Sequence, residues 1–287
     1  MIYIFLAVLS DAFNLILTKT VFNRLPKISL RSFIWLGFAT IVLVNLAVAP
    51  FFASFNFSLL TWRILGLVLL LGGVATLNNF LFYYSLKFEK IGKIEPFLLF
   101  TPLITTLVAG LVFPDERYWP LFIATGLAGL VLAWAHLDKG TKIRLNLPIL
   151  ALFGYLTLYA LEAILAKQLL AVFSPQAVYL VRTAVVLLLV LLFIKPKTSE
   201  LHLEQMPYFI AVAVLAVWQS TLLYTAYKMQ GVAETIFAFT LAPVFIYGFS
   251  ILFLKEKVFW KDLMASLIVV TLVTAVFVMK AHGVFVH

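Results

Sequence analysis

Long apolar runs separated by short polar segments make up almost the whole chain. Each run has about 20 residues, the length that an α-helix needs to cross about 30 Å of hydrocarbon. Prolines and charged residues such as Pro114, Asp115, Lys255 and Glu256 mark the breaks between runs. Ten membrane spans are predicted, at 2–22, 32–53, 64–86, 92–113, 118–136, 147–170, 176–194, 206–227, 233–254 and 259–280.

The pattern of the first half recurs 141 residues later. The repeated positions are Tyr83, Lys87, Pro102, Asp115 and Trp119 in the first copy, and Tyr224, Lys228, Pro243, Glu256 and Trp260 in the second. Because each half holds five spans, an odd number, the second half enters the membrane in the opposite direction. We therefore predict two inverted five-helix repeats, residues 1–142 and 143–287, around a central cavity.

Composition supports an all-α integral membrane protein. Apolar residues make up 64% of the chain and charged residues 11%, against about 25% charged in an average soluble domain. The net charge of +9 comes from basic residues that stand singly or in pairs, so no basic stripe suggests nucleic acid. The chain has no cysteine, phosphate-binding loop or metal-ligand motif, and we expect no cofactor. The amino terminus lacks the features of a cleaved secretory signal, so we expect the first span to be retained.

Several short motifs resemble those of the drug/metabolite transporter superfamily, in its ten-span type with two EamA-like halves. They are Ser85-Leu86-Lys87 and Ala226-Tyr227-Lys228, each fifteen residues before Pro102 or Pro243, the acidic Asp115 and Glu256 thirteen residues further on, and Phe173-Ser174-Pro175 followed by Arg182. The first half departs from the pattern in two ways. Arg31 is nearer to Leu25-Pro26 than Arg182 is to Ser174-Pro175, and Lys93 stands where the family often has a small polar residue.

This resemblance implies a transporter and not an enzyme, in the cell membrane of a prokaryote. It implies export of a small organic metabolite, amine, amino acid or drug-like solute. Membrane lipid and the solute are the expected partners, with protons as a further one, and the chain is expected to act as a monomer or homodimer.

Three ionisable residues lie well inside predicted spans. Asp11 is near the middle of span 1, Glu162 near the middle of span 6, and Arg182 about two turns into span 7. A charge at this depth costs about 2.5 to 3.5 kcal/mol on insertion scales, so each is a candidate for binding solute or protons. Two structural alternatives stay open: Asp11 packs against a polar neighbour, or Glu162 and Arg182 neutralise each other.

Polar and aromatic residues accompany these charges at helical spacing. Such a stripe on an apolar helix faces protein or water and not lipid, which predicts a cavity suited to an amphipathic or cationic solute. The further lining residues predicted are Asn14, Asn78, Asn79, Tyr83, Tyr155, Tyr159, Trp218, Gln219 and Tyr224. Interhelical packing is the alternative role for the amides and the aromatic residues.

Pro102 and Pro243 lie inside spans 4 and 9. Each removes a backbone donor and is expected to kink its helix, either as a hinge or to fit the helix around its neighbours. Lys93 and Glu234 correspond in the repeat but begin inverted spans, so we expect them at opposite membrane faces, each at a cavity mouth.

The orientation is predicted differently by two arguments. Basic residues are concentrated in the loops that follow odd-numbered spans, and the positive-inside rule then places both termini outside. The family resemblance implies both termini inside.

Four other functions compete with a secondary active transporter. A facilitative exchanger or a lipid-carrier flippase fits the same fold, and a flippase requires a cavity that opens sideways to the bilayer. A channel fits poorly with an inverted repeat. A membrane enzyme would need clustered catalytic groups, whereas His136, His202, His282 and His287 are scattered. We therefore predict a secondary active transporter that works by alternating access, with proton coupling left open.

Overall fold

A computed structural model gives the fold of the protein and describes residues 2–89, 94, 97–98, 100–137, 146–196, 200, 203–254 and 260–282. In these ranges the chain forms α-helices and short 3-10 turns, and the only β-pairing is an isolated bridge between Phe55 and Phe173. The all-helical prediction is therefore confirmed for this part of the chain.

Eleven helices are described. They are α1 (Ile2–Arg24), α2 (Leu30–Phe52), α3 (Trp62–Phe88), α4 (Phe100–Val112), α5 (Trp119–Leu137), α6 (Leu147–Leu169), α7 (Pro175–Phe193), α8 (Met206–Gln230), α9 (Val232–Ala238), α10 (Ala242–Leu254) and α11 (Trp260–Ala281).

Seven of these helices, α1, α2, α3, α6, α7, α8 and α11, are long and apolar enough to cross a membrane. Three shorter apolar segments, namely α4, α5 and the stretch Val232–Ile246, occupy predicted spans 4, 5 and 9. The described residues thus contain ten apolar segments, which fits the ten spans expected from the sequence.

Predicted span 9 is not one continuous helix. It is divided into α9 and α10 by the 3-10 turn Phe239–Leu241, which lies immediately before the helix that contains Pro243. A proline inside a helix has no N–H to donate to the carbonyl four residues earlier, and its ring collides with that carbonyl. The carbonyl concerned belongs to Phe239, the first residue of the 3-10 turn. The helix of span 9 is thus interrupted just before Pro243, and the role of this proline as a hinge or a kink stays a prediction.

The other predicted kink lies at the edge of the described residues. Pro102 is the third residue of α4, and residues 95, 96 and 99, just before this helix, lie outside the part of the chain that the structure describes. A proline in the first turn of a helix breaks no hydrogen bond within that helix. The kink at Pro102 therefore stays a prediction.

Serine caps begin the second helix of each half. Ser29 accepts a hydrogen bond from the backbone N–H of Ser32 at the start of α2, and Ser174 accepts one from Ala177 at the start of α7. Each side chain satisfies a backbone donor that the first helical turn leaves unpaired. Ser29, and not the Leu25-Pro26 pair, is therefore the structural counterpart of Ser174, which corrects the comparison made from the sequence.

The helices of the two halves pack in matching pairs. α3 packs along α6, and α1 packs along α8, which is the same contact with the halves exchanged. In the same way α3 contacts α7 as α2 contacts α8, and α4 contacts α6 as α1 contacts α10. Further contacts across the halves join corresponding elements, namely α2 with α7, α5 with α11 and α4 with α9.

Large apolar side chains cover the outside of this bundle. Trp62, Phe193 and Leu130 are exposed, whereas Phe38 and Phe209 are buried between helices. An apolar exterior is costly in water and favourable in hydrocarbon. The fold therefore presents a surface suited to a bilayer and keeps many of its polar side chains for the interior and the helix ends.

Candidate functional site

Two adjoining cavities, of about 150 and 160 Å³, lie between helices of both halves. The side chains that border both cavities are Asp11, Asn14, Phe82, Tyr83, Tyr155 and Tyr159. These shared residues show that the two cavities meet along α1, α3 and α6.

Glu162 is held by charged and polar partners on two other helices. Its Oε1 accepts a hydrogen bond from Arg182 Nε at 2.6 Å, and its Oε2 accepts one from Asn78 Nδ2 at 2.8 Å. Glu162 and Arg182 are each only 8% exposed. Removing two charges from water is costly unless they are paired and hydrogen-bonded, and this arrangement provides both. The mutual neutralisation that the sequence left open is therefore present.

Arg182 also contacts an aromatic ring. Its guanidinium carbon lies 5.7 Å from the ring centroid of Tyr179, which stands three residues earlier on α7. A cation over an aromatic face is attracted by the negative face of the ring. Glu162 and Tyr179 thus fix the guanidinium at the wall of the second cavity.

Asp11 has a much weaker set of contacts. Within the described residues its Oδ1 accepts one side-chain hydrogen bond, from Gln219 Nε2 at 3.3 Å, and it forms no ion pair there. The side chain borders both cavities. Nearly one turn further along α1, Asn14 accepts a hydrogen bond from Thr18 at 3.4 Å. A carboxylate in the position of Asp11 has acceptor capacity left for a ligand.

Aromatic side chains form the walls around Asp11. The ring centroids of Tyr155 and Tyr159 are 5.7 Å apart, and those of Phe82 and Tyr155 are 5.0 Å apart. Phe82 also contacts Tyr83, at 5.6 Å. Aromatic faces beside a carboxylate attract organic cations through the ring quadrupole and the negative charge together.

Two buried oxygens near the cavities have no hydrogen-bond partner among the described residues. They are Oδ1 of Asn78 and Oγ1 of Thr101. Thr101 lines the first cavity, and Asn78 lines the second. A buried polar atom without a partner is costly, so each oxygen can gain from a bound solute or water.

A chain of amides and hydroxyls crosses the bundle behind the second cavity. Asn45 Nδ2 donates to Thr183 Oγ1 at 3.2 Å, Gln176 donates to Asn45, and Thr221 donates to Gln176. These bonds join α2, α7 and α8. Inside a membrane protein, polar side chains form hydrogen bonds between helices in place of hydrogen bonds to water. These hydrogen bonds therefore fix α7, which carries Arg182.

The structure brings most of the predicted lining residues together. All of them except Trp218 border at least one of the two cavities; they are Asp11, Asn14, Asn78, Asn79, Tyr83, Tyr155, Tyr159, Glu162, Arg182, Gln219 and Tyr224. Pro102 and Pro243 border the first cavity. Trp218 borders neither cavity and is 55% exposed. The roles of these residues in transport stay predictions.

Glu234, expected at a cavity mouth, lies away from the two central cavities. It is on α9 and forms an ion pair with Lys280 near the end of α11. Both residues border a third cavity, between α1, α9 and α11. Lys93, its counterpart in the repeat, lies outside the described residues.

Several residues that line the cavities were not predicted from the sequence. Phe82, Thr101 and Tyr179 carry no charge and look like ordinary residues of apolar helices. Tyr179 could have been predicted as a lining residue, since it lies three residues before Arg182 on the same helix face. Thr101 and Phe82 are placed only by the packing of α3, α4 and α6.

Comparison with known proteins supports the resemblance seen in the sequence. Residues 146–278 match the model of the EamA-like transporter family. A protein with a solved crystal structure has the same fold, with a TM-score of 0.71 and 12% identity over 96% of this chain and 98% of that one. No curated protein matches the sequence. The chain is thus a multi-pass membrane protein whose second half matches the EamA-like transporter family.

Proposed function

We propose that the protein is a secondary transporter that moves a small organic cation, such as an amine, through the central cavities by alternating access. The observation that carries this proposal is Asp11, a carboxylate with a single hydrogen bond of 3.3 Å from Gln219 among the described residues, at the meeting point of two cavities with aromatic walls. A cationic group can pair with this carboxylate and stack on the neighbouring rings.

Glu162 and Arg182 have a different role in this proposal. They neutralise each other at 2.6 Å, so the wall of the second cavity adds little net charge. Asp11 then gives the cavities a negative character, which favours a cation over an anion. Arg182 sets the shape and the charge of the site.

Matching contacts between the halves support the transport cycle. We assign residues 1–142 and 143–287 to two inverted repeats, because the contacts of α3 with α6 and of α1 with α8 exchange when the halves exchange. A scaffold of this kind has two related arrangements, open to one side or to the other. Export and proton exchange at Asp11 complete the proposal, with export resting on the family resemblance.

Solute uptake into proteoliposomes tests this function. A panel of amines, amino acids and anions is compared with and without a pH gradient. We expect saturable uptake of amines, and at least about a tenfold loss in D11N, because a charge-assisted hydrogen bond contributes about 1.5 to 3 kcal/mol. D115N is the matched control, since Asp115 is a carboxylate whose side chain is 75% exposed.

Three results would contradict parts of the proposal. Equal uptake by wild type and D11N would show that Asp11 does not bind the solute. Preference for anions would contradict the assignment of an organic cation as the substrate. Uptake at the same rate with and without a pH gradient would contradict proton exchange. Movement of labelled lipid without uptake of any solute would favour the flippase.

A further inference from the structure

At one end of the bundle the buried carboxylate of Glu116 joins elements of both halves. Glu116 lies in the turn after α4, Lys167 near the end of α6, and Gly231 just before α9. Lys167 donates a hydrogen bond to Glu116 and lies 4.1 Å from the ring centroid of Phe113. These groups join both halves of the chain, and we call Glu116, Lys167 and the backbone of residues 231–233 the latch.

Glu116 also binds the backbone at the start of α9. Its Oε1 accepts a hydrogen bond from Val232 N at 3.0 Å, and its Oε2 accepts one from Ala233 N at 2.6 Å. The Glu116 side chain is only 6% exposed. A carboxylate at this depth with three donors forms strong, charge-assisted hydrogen bonds, so it holds α9 firmly in place.

Gly231 allows this close approach. Its φ of 89° lies in the left-handed region that favours glycine, and a Cβ at this position would lie 2.8 Å from Glu116 Oε1. A residue with a side chain would therefore be strained and would also push against the carboxylate.

The α9 segment extends from the latch to the first cavity. All seven of its residues are buried, and Ile236 lines the cavity. Thr106 on α4 also donates to the carbonyl oxygen of Ala233, at 3.5 Å. Movement of α9 away from α4 would therefore connect the cavity with this end of the molecule.

The opposite end is held differently. Lys19, which lies near the end of α1 as Lys167 lies near the end of α6, donates to the carbonyl oxygens of Leu86 and Glu89 at 2.6 and 2.8 Å. The residue that lies 141 positions after Glu116 is Lys257, which is outside the described residues. The acidic group of the latch thus has no acidic counterpart at the matching position of the second half.

We propose that Glu116 is the positioning residue that keeps the cavity closed at the latch end, and that the transport cycle breaks its contacts with Lys167 and α9. This inference rests on the proposed alternating-access function. In the closed state the hydrogen bonds of Glu116 with Lys167 and with α9 are intact. Weakening these bonds opens this end of the cavity and closes the other.

Thiol labelling tests the latch, because the chain has no native cysteine. A163C places a thiol four residues before Lys167, on the lining of the second cavity, which meets the first cavity along α1, α3 and α6. T18C places one next to Lys19, on the lining of the first cavity and towards the end of the bundle opposite the latch. A membrane-impermeant maleimide is added to right-side-out and to inverted vesicles. Each thiol is combined with E116Q, K167Q or D115N.

We expect E116Q to raise labelling of the A163C thiol from the latch side about tenfold, which corresponds to about 1.4 kcal/mol, and to lower labelling of the T18C thiol from the other side. K167Q should act in the same direction, since it removes the same contact. D115N should change each rate less than about twofold, because Asp115 lies 3.6 Å from Lys167 and is largely exposed.

Opposite changes at the two thiols separate a shift between states from simple loosening of the fold. Faster labelling of both thiols in E116Q and K167Q, or unchanged labelling of both, overturns the inference. Labelling needs no solute. A shift in labelling with no uptake of any amine would therefore contradict the proposed substrate while supporting the latch, and uptake that depends on Asp11 with unchanged labelling would contradict the latch alone.

Discussion

Asp11 and Glu162 are both carboxylates of the central cavities, but their surroundings differ. Glu162 is bound by Arg182 and Asn78 at 2.6 and 2.8 Å, whereas Asp11 is bound by Gln219 at 3.3 Å. A carboxylate that is fully paired within the protein stabilises the packing of helices, and one with spare acceptor capacity can bind a ligand. Depth in the membrane alone does not distinguish these roles.

The largest effect is expected when the buried pair is broken. R182M leaves the Glu162 carboxylate without its cation, and removing one partner of a buried ion pair costs about 3 to 5 kcal/mol. Thermal unfolding of the purified protein in detergent measures the loss. The double variant R182M/E162M is the control and should recover most of the stability. A single variant as stable as wild type would show that the pair is not structural.

A smaller loss is expected when Glu162 loses its second partner. N78L removes the hydrogen bond that Asn78 Nδ2 donates to Glu162, and a hydrogen bond to a charged group contributes about 1.5 to 3 kcal/mol. The same unfolding measurement applies. Stability equal to that of wild type would mean that Arg182 alone satisfies the carboxylate.

Replacement of Asp11 should affect stability less than either of these changes. D11N keeps an oxygen that can accept from Gln219, so we expect the free energy of unfolding to change by less than about 1 kcal/mol. Uptake and unfolding are measured on the same preparation. A loss of stability as large as that of R182M would make Asp11 a packing residue and remove the difference between the two carboxylates.

The smallest effect is expected at Trp218, which the sequence placed beside Gln219 in the site. The side chain is 55% exposed and borders neither central cavity. W218A should change stability by about 0.5 kcal/mol or less and uptake by less than about twofold. A large loss of uptake in W218A would show that Trp218 belongs to the binding site.

The ten apolar segments and their helical type were predictable because each span must be apolar over its whole length. Asp11, Glu162 and Arg182 were predictable as interior residues because charge is costly in hydrocarbon. The break in span 9 was predictable near Pro243 but not at Phe239–Leu241. The pairing of Arg182 with Glu162 was one of the alternatives that the sequence left open. The choice between these alternatives was not predictable, because the repeat relates positions in sequence and not distances between side chains.

The latch illustrates the same limit. Glu116 and Lys167 are charges at helix ends in the sequence, where they resemble ordinary loop residues. Only the approach of α6 and α9 to the turn after α4 places Lys167 and two backbone N–H groups around Glu116.

By itself the sequence determined that the chain spans a membrane as apolar helices, because hydrocarbon selects apolar, internally hydrogen-bonded segments. It also predicted that these helices form two related halves. The tertiary structure decided which interior charges neutralise each other, which one keeps capacity for a ligand, and which contacts close one end of the bundle. Those properties depend on distances of a few ångströms between helices, and a hydropathy pattern carries no information on such distances.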